Sequence, residues 1–195
     1  VADAARSPTV GDVPADIPPP PTDGRGAPPM LLGASSVAAE HDLMGARLDA
    51  AREYGRAHRL NRIVFEPREP RRALVAPGPA FATLRRALSQ LGIGDAELEE
   101  MGIRLVCLEM VWPLHADDVL AFAAGVQELI VVEDKRPFVE RQLRDLLYGA
   151  PGAPPVLGKR DADGRALIDL AGTVDADAVA RALAHEPAVL LLDEP

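Results

Sequence analysis

Four charged residues, Glu133, Asp134, Lys135 and Arg136, follow directly on the apolar run Leu129-Ile130-Val131-Val132 and precede Pro137 and a helical pattern. Two carboxylates beside an ammonium and a guanidinium can make charge-assisted hydrogen bonds, to a ligand or between neighbouring elements. Lys159 and Arg160, which follow Val156-Leu157-Gly158, add further cations at the end of a second short apolar run. Glu133, Lys135, Arg136 and Lys159 therefore form a candidate anion- or nucleotide-binding set. A solvated, salt-bridged turn uses the same residue types.

Other chemistry is hard to find. The chain has no G-x-S-x-G elbow, no G-x-x-x-x-G-K-[ST] phosphate loop and no H-E-x-x-H zinc motif. Gly78 stands alone after its strand, without the G-x-G-x-x-G spacing that lets backbone approach a pyrophosphate. His41, His58, His115 and His185 are scattered without metal-ligand spacing. Cys107, the single cysteine, lies inside the apolar run Ile103 to Leu108 and reads as a core thiol. Alone it forms no internal disulfide and holds neither a structural zinc nor an iron–sulfur cluster. Asp117-Asp118, Glu99-Glu100 and Asp161/Asp163 fall on helix surfaces or turns, where solvated charge is expected.

The charged turn needs elements to hold it. No polar alternation interrupts Ile130 to Val132, which suits a strand covered on both faces. Pro137, with a fixed φ and no N–H, fits the first turn of a helix running Phe138 to Tyr148, whose buried stripe is Val139, Leu143, Leu146 and Leu147. Glu133 to Arg136 then lie at the carboxyl edge of an open sheet, where ligands and partner domains are met. Upstream, Ser36 to His58 reads as a helix with Val37, Leu43, Leu48, Ala51 and Tyr54 on one side, weakened by Gly45 and Gly55.

Further strands are expected at Arg62 to Phe65, Arg72 to Ala76, Ile103 to Leu108 and Pro155 to Arg160. Helices are expected at Ala80 to Leu91, Asp95 to Met101, Asp117 to Ala124, and Ala176 to His185 capped by Asp175. Val189 to Leu192 reads as an edge strand or a tail. This alternation predicts an α/β fold: a doubly wound, mainly parallel open sheet of about five strands with helices on both faces. Ile130 to Val132 should be among its interior strands.

The 195 residues suffice for one sizeable domain plus extensions. Residues 1–35, with Pro18 to Pro21 in a row, have the composition of a Pro-rich linker or extended arm, leaving 36–195 as the α/β domain. A net charge of −9 argues against a general binder of nucleic acid. The arginines Arg59, Arg62, Arg68, Arg71, Arg72, Arg85 and Arg86 read as a solvated surface. No apolar run reaches the length of a membrane span and no secretory start is present, so a cytoplasmic location is the default expectation. Beginning at Val1 and ending just after an apolar run, the chain reads as a segment of something longer.

Five ordered segments carry a resemblance: Arg59-Leu60-Asn61-Arg62-Ile63-Val64, Met110-Val111-Trp112-Pro113-Leu114, Val131-Val132-Glu133-Asp134-Lys135-Arg136, Gln142 with Leu147-Tyr148, and Gly158-Lys159-Arg160. Together they resemble the large fused chain of the indolepyruvate ferredoxin oxidoreductase family, over roughly Ser36 to His185. The resemblance implies the transketolase C-terminal-like domain of a thiamine-diphosphate enzyme that oxidatively decarboxylates aryl 2-oxo acids, with coenzyme A as acyl acceptor and ferredoxin as electron acceptor. It implies thiamine diphosphate, magnesium and iron–sulfur clusters for the parent enzyme. Neither Thr22-Asp23-Gly24 nor Ala162-Asp163-Gly164 supplies the magnesium motif, and one cysteine cannot supply the clusters. The segment alone is therefore expected to be an inactive domain that contacts other domains or subunits, with a homo-oligomer as a further possibility. Glu133, Asp134, Lys135, Arg136, Gln142, Gly158, Lys159, Arg160 and Trp112 are its candidate carboxyl-edge and interface residues. A free-standing anion- or nucleotide-binding module and a pure interaction scaffold are the alternatives.

Overall fold

The computed structural model describes residues 32–169 and 174–185. The Pro-rich arm and Val189 to Leu192 lie outside these residues. The chain divides into two compact units, residues 1–47 and 48–195. In the first, helix α1 (Ala34–Asp42) runs into a kink at Gly45, with φ −100° and ψ −111° inside the irregular turn Leu43–Arg47. The single helix expected from Ser36 to His58 is therefore broken. Gly45 lacks the Cβ that would hold it helical, and Val37 and Leu43, expected on one side with Leu48, are exposed while Leu48 is buried.

The second unit begins with α2 (Leu48–Ala57) and then builds a five-stranded sheet from β1 (Asn61–Phe65), β2 (Arg72–Pro77), β3 (Ile103–Leu108), β4 (Glu128–Val131) and β5 (Val156–Leu157). The order is β1-β3-β2-β4-β5. β2, β3, β4 and β5 are parallel, and β1 joins the β3 edge antiparallel with a register break between Ile63 and Phe65. The remaining helices are α3 (Gly78–Gln90), α4 (Asp95–Met101), α5 (Ala116–Ala123), α6 (Val139–Leu147) and α7 (Ala176–His185).

Alternation along each strand divides the core. Leu74, Ala76, Leu105, Ile130, Val132 and Leu157 face one way, against Leu84 and Leu88 of α3, Leu98 of α4, and Val179 and Leu183 of α7. Ala73, Val75, Val106, Leu108, Leu129 and Val131 face the other way, against Val119 and Phe122 of α5 and Leu143 and Leu147 of α6. Both faces are covered by helices, which is why the strands read as unbroken apolar runs. β4, the strand that carries Ile130 and Val131, lies between β2 and β5 in the sheet interior.

Two expected boundaries shift. β5 has two residues instead of six, and Arg160 instead makes an isolated bridge to Ala166. α6 starts at Val139 with Phe138 as its N-cap residue, so Pro137 stands outside the helix. α4 spans the expected residues Asp95 to Met101 with Gly94 as its N-cap residue, and the Glu97 carboxylate accepts from the Gly94 N–H at 2.8 Å. Asp175 does cap α7, accepting from the Ala178 N–H at 2.6 Å.

Candidate functional site

The crossovers place the ends of β2, β3 and β4 together. β2 connects to β3 on one side and β4 lies on its other side, so the sheet changes direction of progression at β2. At such a point the strand ends leave a crevice. A cleft of about 310 Å³ opens there, lined by Pro77 and Gly78 after β2, Leu108 and Glu109 at the end of β3, and Glu133 and Phe138 beyond β4.

Glu133 is 3% exposed and its carboxylate folds back over the start of α6. Oε1 and Oε2 both accept from the Phe138 N–H at 3.1 Å, Oε2 accepts from Val139 at 2.8 Å, and Oε1 accepts from Glu140 at 3.1 Å. Three of the first-turn N–H groups of α6 are thereby satisfied by one anion placed at the positive end of the helix. This also explains why Pro137 is left outside: the cap is delivered from five residues upstream, and the Phe138 N–H is one of its donors.

Lys159 is 5% exposed. Its Nζ donates to the Glu133 carbonyl oxygen at 2.5 Å and to the Asp169 carbonyl oxygen at 3.1 Å. The ammonium thus joins the end of β4 to the chain beyond β5. Burial pulls its pKa below the ordinary lysine value, against the opposing pull of Glu133, Asp134, Glu140 and Asp169. Its backbone N–H donates to Glu140 Oε2 at 2.9 Å, and Glu140 Oε1 pairs with Arg144 at 2.7 Å. Gly158 is needed beside them: a Cβ there would collide with the Glu140 carboxylate, whose carbon would be at 3.0 Å.

The other expected residues separate from this group. Asp134 Oδ1 accepts from the Val174 N–H at 2.7 Å, while Lys135 and Arg136 point to solvent. Lys135 has φ 55°, the left-handed region. Arg160 donates to the Gly164 carbonyl oxygen at 2.6 Å, within its own exposed turn. Gln142 donates to the Val111 carbonyl oxygen at 2.8 Å, which brings the turn carrying Trp112 onto α6. Trp112 is half exposed, ahead of a cis bond to Pro113.

Several contributors escaped the sequence reading. Glu140 is 3% exposed, and its spacing to Leu143 and Leu147 placed it on the buried stripe of α6, a signal that was present. Asn61, which stands in the first of the five ordered segments without a role of its own, exchanges side-chain bonds with both the N–H and the carbonyl oxygen of Met110, at 3.0 and 2.9 Å. Arg104, 4% exposed, donates to both oxygens of Glu66 at 2.6 Å and to the carbonyl oxygens of Phe122 and Ala124 at the end of α5. An arginine inside an apolar strand was the visible sign.

Among the described residues no three His, Cys, Asp or Glu side chains come together to hold a metal ion. Asp163, in the Asp-Gly turn, pairs with Arg165 at the surface, and Cys107 is buried. The described residues do not fit a magnesium-bound diphosphate or an iron–sulfur cluster. No described helix is long and apolar enough to cross a membrane.

The class of domain is thus an open, mainly parallel α/β sheet covered on both faces, with a cleft at its carboxyl edge. The sequence profile of the indolepyruvate oxidoreductase domain matches residues 62–190, and the chain belongs to that family. The five motifs at Asn61, Trp112, Glu133, Gln142 and Lys159 point to the same family. Over 86 residues, 44% of this chain, it is 27% identical to indolepyruvate oxidoreductase subunit IorA of Thermococcus kodakarensis, and it spans 12% of that relative's length. Among solved structures it is similar to a split-gene transketolase in an inactive β4 tetramer, with TM-score 0.46, 20% identity, and 66% of this chain and 41% of that chain covered. It is also similar to the 2-oxoglutarate:ferredoxin oxidoreductase of Magnetococcus marinus with 2-oxoglutarate, coenzyme A and succinyl-CoA bound. There the TM-score is 0.45 and the identity 15%, with 76% of this chain and 23% of that chain covered.

Proposed function

We propose that the chain serves as a non-catalytic structural and interface domain, transketolase C-terminal-like, of a cytoplasmic indolepyruvate-type 2-oxoacid ferredoxin oxidoreductase. The whole enzyme would oxidatively decarboxylate an aryl 2-oxo acid to its acyl-CoA and pass electrons to ferredoxin. Thiamine diphosphate, magnesium and iron–sulfur clusters would be held by other domains or subunits. The observation that carries this reading is the use made of the carboxyl edge. Glu133, Glu140 and Lys159, the buried charges there, are bonded to backbone groups, Glu140 also to Arg144, and none is left to act on a substrate.

The alternative of an anion-binding module loses support on the same ground. Of the four charges it would employ, Glu133 and Lys159 are spent within the fold, and only Lys135 and Arg136 face solvent. Calorimetry with thiamine diphosphate and Mg²⁺ tests the proposal. This chain is expected to give no heat of binding and no decarboxylation of indolepyruvate. Micromolar binding would overturn the reading, because it would require a diphosphate site that the described side chains do not form.

A further inference from the structure

Two exposed aromatics lie on the segments that Gln142 ties together beside the carboxyl edge. Trp112 is 50% and Phe138 52% exposed, and Val111, next to Trp112 in the chain, is 39% exposed. Val111 and Phe138 both line the cleft, and one side chain clamps their backbones: Gln142 Nε2 donates to the Val111 carbonyl oxygen at 2.8 Å and to that of Phe138 at 3.4 Å. The apolar surface is therefore carried by a fixed platform, which lowers the entropic cost of binding anything to it.

Cations flank the platform. Lys135 and Arg136 precede Phe138, and Arg141 follows it by three residues, so it neighbours Phe138 on the helix surface. All three are exposed, and none pairs with a carboxylate among the described residues.

We propose that Val111, Trp112, Lys135, Arg136, Phe138 and Arg141 form a docking surface for an acidic protein segment. This deepens the interface role proposed above and rests on it. Aromatic anchors ringed by arginine are the side chains that contribute most to protein contacts. The charge selects the partner: Lys135, Arg136 and Arg141 outnumber Asp134, the exposed carboxylate of the same turn, and complement an acidic segment rather than another basic one. Stacking on Trp112 and Phe138 would equally suit single-stranded nucleic acid. The apolar cleft wall of Leu108, Val111 and Phe138 takes the aliphatic side chains of a peptide, which single-stranded nucleic acid lacks.

Trp112 is the only tryptophan, so its emission reports on the surface directly. The full chain would be titrated with a fifteen-residue peptide of five Glu-Glu-Leu repeats, and in parallel with a fifteen-nucleotide single-stranded DNA. The peptide is expected to shift Trp112 emission and to bind at least about tenfold more weakly when salt rises from 50 to 500 mM, as desolvated but rim-exposed charge pairs should. Arg136→Glu with Arg141→Glu should weaken it about tenfold or more while leaving circular dichroism unchanged, since both residues are exposed. Phe138→Ala should weaken it without altering the salt dependence. A silent titration, equal binding by the charge-reversed variant, or tighter binding of the DNA would each overturn the docking proposal. These outcomes are separate from the calorimetric test: a silent peptide titration leaves the oxidoreductase reading in place, and thiamine diphosphate binding removes that reading whatever the peptide does.

Discussion

Glu133→Ala removes the acceptor of three backbone N–H groups at the start of α6, in a place where only 3% of the residue is exposed. A buried donor left without a partner costs about 1–3 kcal/mol. Two of the three donors, Val139 and Glu140, belong to buried residues, and Phe138 is exposed enough for water to replace its bond. The loss of the anion also removes its interaction with the helix dipole, about 0.3–1 kcal/mol. Together these give a destabilisation of about 2–7 kcal/mol, centred near 4. With a urea slope near 2 kcal/mol/M, the unfolding midpoint should fall by about 2 M. Glu133→Gln keeps one acceptor oxygen and loses the charge, so about 1–2 kcal/mol is expected. Lys135→Ala, at an exposed and unpaired site, is the control and should stay within about 0.5 kcal/mol of wild type. If Glu133→Ala unfolds within about 0.3 M of that control, the carboxylate contributes no cap in solution and the account of the turn is wrong.

Three further expectations use the same network and its surroundings. Gly158→Ala should destabilise by about 1–3 kcal/mol in urea unfolding, because the new methyl meets the Glu140 carboxylate that is already pinned by Lys159 N–H and Arg144. Burial holds Lys159 below its ordinary pKa of 10.5, so the cost of the charged ammonium is fully present at neutral pH and is relieved as pH rises toward 10.5. The stability difference between wild type and Lys159→Met should therefore shift in favour of wild type over that climb; a pH-independent difference would count against the burial. Burial raises the Cys107 thiol above 9.0, which makes stability fall as pH rises through that value, since the unfolded chain then releases a proton the folded one keeps. Its labelling by a thiol reagent should run at the rate of unfolding, and rapid labelling of the native protein would place the thiol at the surface instead.

Most of the sheet could be read in the sequence because covering both faces leaves a strand with no polar alternation to misplace. Ile103 to Leu108, Arg104 excepted, and Ile130 to Val131 are apolar on both sides for that reason, and their ends are set by Gly102 and by the onset of charge at Glu133. Elements with weaker burial were less legible. The stretch from Ser36 to His58 has the right composition for one helix, but its early residues Val37 and Leu43 are exposed. With those residues unburied, the low propensity of Gly45 decides the local outcome and the helix kinks. β5 is short for a comparable reason: after Leu157 the backbone N–H of Lys159 is taken by the Glu140 side chain, so the ladder to β4 ends at two residues.

At the carboxyl edge the sequence showed which residues mattered but not what each would do. Charge type and position identify the cluster, yet a carboxylate at the end of a strand can face outward to a ligand or fold back onto the next helix. That choice depends on how many N–H groups come within reach. Here the turn from Glu133 to Phe138 is tight enough to bring three within 3.1 Å of one carboxylate, so the internal bonds win. The left-handed Lys135 allows that tightness by reversing the chain between cap and helix. Internal use of Glu133 and Lys159 in turn leaves Lys135 and Arg136 as the outward charges of the turn, beside Phe138. The same fold that commits Glu133 and Lys159 to internal bonds thus composes the aromatic and cationic surface on which the proposed partner would be met.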